Sequence, residues 1–141
     1  MSKKRTSNLE KELKHCTSLD SFLTQNQAEL STDALTTQIL NLITAKGMTK
    51  ADVVKASNLN EVYAYQILSG TRRPSRDKLL CLCFAMHATS EETQTLLRHG
   101  GFAPLYVRNQ RDSILFCALT HGKTVLQVNI DLCDHGEPLL E

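Results

Sequence analysis

Residues 40–86 read LNLITAKGMTKADVVKASNLNEVYAYQILSGTRRPSRDKLLCLCFAM, and this stretch decides the fold. It contains four short segments with helical apolar periodicity, separated by residues that start or stop helices. Thr49, Asn60 and Ser75 are candidate N-caps, because their side chains can accept a hydrogen bond from a backbone N–H of the first turn. Gly47 and Gly70 favour helix ends. The spacing of the middle pair predicts a helix-turn-helix.

The turn of this helix-turn-helix is predicted at Asn58 and Leu59. Asn58 stands where a positive φ is usually needed, and Asn tolerates that conformation better than most residues. Leu59 then plugs the turn into the core. We therefore predict that Leu59, Ile67, Leu79 and Leu82 are buried together in one core.

Residues 38–86 resemble the Cro/repressor-type (XRE) helix-turn-helix domain of bacterial and phage regulators. The family usually has Gln, Ala and Gly where this chain has Lys50, Val54 and Asn58. A longer run, which includes YAYQILSG and RNQRDSIL, resembles a group of small Gram-positive bacterial helix-turn-helix proteins over roughly 100 residues. The residues that carry the first resemblance are Met48-Thr49, Asn58-Leu59-Asn60, Ile67, Gly70 and the RRPS of 72–75.

Composition indicates one compact, all-α protein. The chain has 141 residues, of which 41% are hydrophobic and only 5% aromatic, and Trp is absent. Its net charge is only +1, but residues 31–88 hold seven Lys or Arg against four acidic residues, whereas residues 89–141 hold four against seven. The basic excess therefore lies on the helix-turn-helix segment, which has the sign that DNA binding requires.

Helical signals continue after this stretch. Thr89 and Glu92 form a capping box for a fifth helix. A loop follows, in which Phe102, Leu105 and Tyr106 are expected to tuck into the core. A sixth helix is predicted from about Arg111 to Thr120, and a seventh after the Thr124 cap. The apolar residues of this helical hairpin must pack on the core, on a second copy of the chain, or on both, and we favour both: Ile114, Leu115, Leu119, Val125, Leu126, Val128, Ile130 and Leu132.

The sequence thus predicts an all-α fold with a Cro/repressor-like helix-turn-helix core and an added C-terminal helical hairpin. Residues 1–30 are predicted to form an N-terminal arm and a short helix, residues 31–101 the helix-turn-helix domain, and residues 102–141 the hairpin packed on it. No apolar run suits a signal peptide or a membrane helix, so we expect a cytoplasmic protein without membrane contact.

The pattern gives no support for an enzyme, a cofactor or a metal site. Nucleophile, P-loop and dinucleotide motifs are absent from the sequence. Two Cys/His pairs, Cys83 with His87 and Cys117 with His121, have the spacing of one helix face. Zinc sites need three or four such ligands together, so core packing is the simpler interpretation. The five cysteines form no CxxC pair and indicate reduced thiols.

In helix-turn-helix domains the third helix lies in the major groove, and its early residues reach base edges. Applied here, this implies double-stranded DNA as the partner, with an expected homodimer on paired half-sites. The hairpin is the candidate surface for dimerisation or for a protein partner. The alternative is a protein-interaction adaptor without sequence-specific DNA binding. The predicted base-reading residues are Asn60, Glu61, Val62, Ala64, Tyr65 and Gln66. The predicted phosphate contacts are Lys50, Arg72, Arg73, Arg76 and Lys78, with Asp77 paired to Arg73 or Arg76. Lys50 is also placed to reach a guanine instead of a phosphate.

Overall fold

A computed structural model of the protein describes residues 31–141, and this part of the chain is all-helical. The arm and short helix predicted for residues 1–30 lie outside the described residues. No helix between residues 31 and 141 has both the length and the apolar character needed to cross a membrane. The described helices are α1 (Ser31–Ala45), α2 (Lys50–Ala56), α3 (Glu61–Leu68), α4 (Arg76–Ala85), α5 (Ser90–His99), α6 (Gln110–Thr120) and α7 (Val125–Asp134).

Side-chain caps start the helices where the sequence predicts them. In each case a side-chain oxygen accepts a hydrogen bond from the backbone N–H three residues later. Asn109 caps α6 in the same way, which moves the start of this helix one residue ahead of the predicted Arg111. The predicted caps observed are Thr49, Asn60, Ser75, Thr89 and Thr124.

Helix α4 lies at the centre of the molecule. Every residue from Leu79 to Met86 is buried, and α4 packs against α2, α5 and α7. A helix that is apolar on all sides must be covered on all sides. The α6–α7 hairpin supplies part of this cover, because Leu115, Val128 and Leu132 belong to the same hydrophobic cluster as α4.

Several apolar residues lie differently from the sequence prediction. Ile67, Leu79 and Leu82 are buried as expected, but Leu59 is only half-buried against them. Tyr106 is 60% exposed instead of tucking into the core. Leu126 and Ile130 of α7 face solvent in the single chain. Helix α7 contacts α4 and α6 contacts α5, while packing of the hairpin on a second copy stays a prediction.

Two Arg-Asp dipeptides hold the hairpin to the core. Arg76-Asp77 lies in the first turn of α4 and Arg111-Asp112 in the first turn of α6, and each arginine pairs with the other dipeptide's aspartate. Arg76 donates to Asp112 at 3.2 and 3.1 Å, and Arg111 donates to Asp77 at 3.1 and 2.9 Å. We call these four residues the reciprocal clamp. The prediction that Asp77 pairs with Arg73 or Arg76 is wrong, since its partner is Arg111.

The last residues fold back along α7. Asn129 accepts from the Leu140 backbone N–H at 2.8 Å and donates to its carbonyl at 3.3 Å. Arg111 donates to the carbonyls of Pro138 and Leu139 at 3.0 and 3.2 Å. Leu140 is almost fully buried as a result. The segment after α7 is thus an ordered part of the core's cover.

The described cysteines are free thiols of two kinds. Burial raises the pKa of Cys81 to about 11 and that of Cys83 to about 12, so both stay protonated at neutral pH. Cys117 and Cys133 are exposed, and the Cys117 sulfur lies 3.5 Å from Nδ1 of His121. Across residues 31–141, no group of three or more His, Cys, Asp or Glu is arranged to hold a metal ion.

Candidate nucleic-acid interface

Local hydrogen bonds hold both the start of α2 and the turn between α2 and α3. Asp52 accepts from the Thr49 backbone N–H at 3.0 Å, and this bond holds the pKa of the Asp52 carboxyl below its usual value. At the other end of α2, the buried Ser57 hydroxyl donates to the Val54 carbonyl at 2.8 Å and accepts from the Leu59 N–H at 3.3 Å. Asn58 between them has the predicted positive φ, at 60°. The turn is therefore specified by its own residues.

Helix α3 presents one face to the core and one to solvent. Ala64, Ile67 and Leu68 are buried, so the expectation that Ala64 belongs to the exposed reading face is wrong. Its small side chain instead lets α3 approach the core closely. On the outer face Val62 is 67% exposed and Tyr65 is 38% exposed. The remaining positions of that face are Glu61 and Ser69, which are exposed, and Gln66, which is half-buried.

The Asn60 side chain is already engaged in capping. Its Oδ1 accepts from the Tyr63 backbone N–H at 3.1 Å, which satisfies one of the free donors at the start of α3. Reading adenine with both atoms of the amide would require this bond to break. Asn60 therefore positions α3, and the solvent face is left to Glu61, Val62, Tyr65 and Gln66.

Cations flank α3 on both sides. Lys50 lines the same shallow groove as Val62 and Gln66, and Lys55 lines a second groove on the Asn60 side. On the remaining flank the Arg72 guanidinium lies 4.9 Å and the Lys78 ammonium 5.1 Å from the centre of the Tyr63 ring. Cation–π contacts of this kind hold long side chains in place. Lys55 was not among the phosphate contacts predicted from the sequence, although its place one turn before the predicted turn at Asn58 could have indicated this role.

The other two predicted phosphate contacts are built into the fold. Arg73 donates to the Gly100 carbonyl, and its guanidinium carbon lies 5.8 Å from the centre of the Phe102 ring. Arg73 nevertheless remains exposed to solvent. Arg76 bonds to Asp112 and also donates to the carbonyls of Ala103 and Pro104 at 3.0 and 3.3 Å. With these partners its side chain is only 25% exposed. Arg76 thus serves the interior contact between α4 and the hairpin.

A cleft that sequence reasoning missed adjoins this cationic edge. It has a volume of about 320 Å³, with Leu35, Ile39 and Ile67 among its apolar walls. Arg72, Arg73 and Arg98 line the same cleft. Arg98 is more than 20 positions from the other two arginines in the sequence, so only the fold shows that they share one edge. That edge extends the positive charge away from α3.

Comparisons of the chain with protein-family models, with curated proteins and with solved structures yield no match. Evidence for a function must therefore come from the side chains arranged around α3. This arrangement offers an exposed helix face with a carboxylate, two apolar groups and one amide, flanked by cations.

Proposed function

We propose that the protein is a DNA-binding transcriptional regulator of the Cro/repressor-like helix-turn-helix type, which reads the major groove of duplex DNA with α3. The observation that carries this proposal is the exposed outer face of α3, flanked on both sides by lysine and arginine side chains. Phosphates border the major groove on both sides, so cations are needed at the edges and base-reading groups in the middle.

The proposed contacts divide between the two tasks. Lys50, Lys55, Arg72 and Lys78 would neutralise phosphates, and Arg73 would contribute its exposed charge. These contacts set the register without reading sequence. Glu61, Val62, Tyr65 and Gln66 would face the base edges: Glu61 can accept from the cytosine amine, and Gln66 can pair with adenine. Arg76 is left out, because its guanidinium is bonded to Asp112 and to two backbone carbonyls.

A second function is supported by the same face. Exposed Val62 and Tyr65 lie one turn apart on α3, and aromatic residues are enriched in protein–protein interfaces. A protein-interaction adaptor would use this apolar strip in a groove of its partner. The two functions differ in their dependence on salt, because phosphate contacts release counterions and an apolar interface does not.

Salt titration of duplex binding tests the proposal. A pool of random fluorescent duplexes is titrated with protein at several salt concentrations, and the slope of log K against log salt is measured by anisotropy. We expect a steep negative slope for the unchanged protein. Arg72→Ala should weaken binding to all sequences alike and reduce the slope by roughly one.

Arg108→Ala is the matched control for this titration. Arg108 is exposed, like Arg72, lies in the loop before α6, and makes no hydrogen bond, ion pair or ring contact with residues 31–141. The substitution removes the same charge, so a general effect of net charge would appear in both variants. Equal slopes for the two variants, with intact far-ultraviolet circular dichroism, would contradict DNA binding through this surface.

A further inference from the structure

The first turn of α3 presents an apolar side chain where a base-reading residue is expected. Val62 is the second residue of α3 and is 67% exposed, the highest value for a large apolar side chain between residues 31 and 141. A β-branched residue on an exposed helix face lowers helix stability relative to Ala. The residue is therefore unfavourable for the isolated fold. The exposure of the Val62 side chain suits contact with an external apolar group.

Helix α3 itself carries neither of the two residue types that most often read guanine. Arg and Lys make the commonest specific base contact, to the O6 and N7 atoms of guanine. The sequence has neither residue between positions 56 and 71. The amide of Asn60 is engaged in the cap of α3. The outer face of α3 thus carries apolar groups, a carboxylate and the Gln66 amide, and the nearest cation in its groove is Lys50 on α2.

One group in the major groove matches an exposed isopropyl side chain. Thymine presents its C5 methyl there, whereas the other base edges present hydrogen-bond donors and acceptors. We propose that Val62 recognises a thymine methyl group and so selects thymine-containing sites, with Tyr65 one turn later closing the same apolar contact. This inference rests on the proposed DNA-binding function and names the chemistry that the reading face selects.

Removing the methyl from the DNA tests this inference directly. Random duplexes are enriched for binding to the unchanged protein, and the enriched pool is then copied with either thymidine or deoxyuridine triphosphate. Burial of one methyl-sized group contributes about fourfold in affinity. We therefore expect the thymine pool to bind at least about fourfold more tightly than the uracil pool at fixed salt.

Val62→Ala should lower the thymine-to-uracil affinity ratio clearly below that of the unchanged protein, because Ala offers less apolar surface to the thymine methyl. Ala is the better helix former, so α3 is retained in this variant. Val107→Ala is the matched control: Val107 is 61% exposed but lies in the loop before α6, far along the chain from α3. That variant should keep the ratio of the unchanged protein.

The outcomes separate the two proposals. A ratio of one for the unchanged protein, together with clear enrichment of bound sequences, would overturn thymine-methyl recognition and leave DNA binding standing. A ratio that survives Val62→Ala would overturn the assignment to Val62. Absence of any duplex binding would overturn both proposals in favour of a protein partner.

Discussion

Asp112→Ala should be the most damaging single change in the reciprocal clamp. The Asp112 side chain is only 11% exposed. It accepts two bonds from Arg76 and one from the Tyr106 backbone N–H, the last at 2.9 Å. Removing it leaves a largely covered guanidinium and a backbone N–H without these acceptors. Breaking one partner of a buried pair costs about 3–5 kcal/mol. Because Arg76 keeps two carbonyl acceptors and is a quarter exposed, we expect about 3 kcal/mol.

The other half of the clamp gives an internal comparison. Asp77 is 34% exposed, and its partner Arg111 would keep the carbonyls of Pro138 and Leu139 as acceptors. Solvent reaches the Asp77 carboxylate more than that of Asp112, although Arg111 is only 16% exposed. Because Arg111 keeps its two carbonyl acceptors, Asp77→Ala should cost only about 1 kcal/mol. Both aspartates lie in first helical turns and lose a similar interaction with the helix dipole on substitution.

Urea unfolding followed by circular dichroism measures both costs. The free energy of unfolding of each variant is compared at an unchanged m value, since a changed m would indicate a change in the unfolded or folded ensemble. A double-mutant cycle with Arg76→Ala then isolates the coupling between Arg76 and Asp112. Asp112→Ala costing no more than Asp77→Ala would refute the reasoning from burial and bond count.

Three further predictions concern stability. Leu132→Ala should destabilise the protein by about 2–5 kcal/mol in the same assay, because Leu132 is fully buried, whereas Leu126→Ala on the exposed face of α7 should change it by about 0.5 kcal/mol or less. Deleting residues 107–141 should leave an insoluble or destabilised core; recovery of a stable, monodisperse 1–106 fragment would show that the hairpin is a separate module. The Thr89 backbone N–H, which lies 2.9 Å from Glu92, lowers the pKa of the Glu92 carboxyl. This hydrogen bond therefore stabilises the fold above the unfolded pKa of Glu92, and the stabilisation is lost as pH falls. Glu92→Gln should thus flatten the acid side of a plot of unfolding free energy against pH.

Local signals predicted most of the helix boundaries. Capping is decided by a side chain and the backbone three residues later, so Thr49, Asn60 and Ser75 could be recognised without knowing the fold. The same holds for the turn at Asn58, whose positive φ is a property of that position. These contacts span few residues, and a linear sequence displays them directly.

Pairings between distant residues could not be predicted in this way. Arg76 looked like one member of a basic cluster, yet its carboxylate partner lies 36 positions later. Asp77 had nearer arginines available, but it pairs with Arg111, 34 positions away. Which of several opposite charges meet depends on how α6 packs on α4. The two Arg-Asp dipeptides are visible in the sequence, but nothing in it orients them toward each other.

The buried surroundings of α4 have a consequence for synthesis on the ribosome. A growing chain emerges from its N-terminus, and domains generally fold as units during synthesis. When α4 has emerged, its partners in α7, the Arg111 guanidinium and the Asp112 carboxylate have not yet been made. The apolar surface of α4 that the hairpin covers in the folded protein therefore stays exposed until the hairpin has been synthesised. Nascent chains arrested before Leu132 should therefore be the most dependent on chaperones.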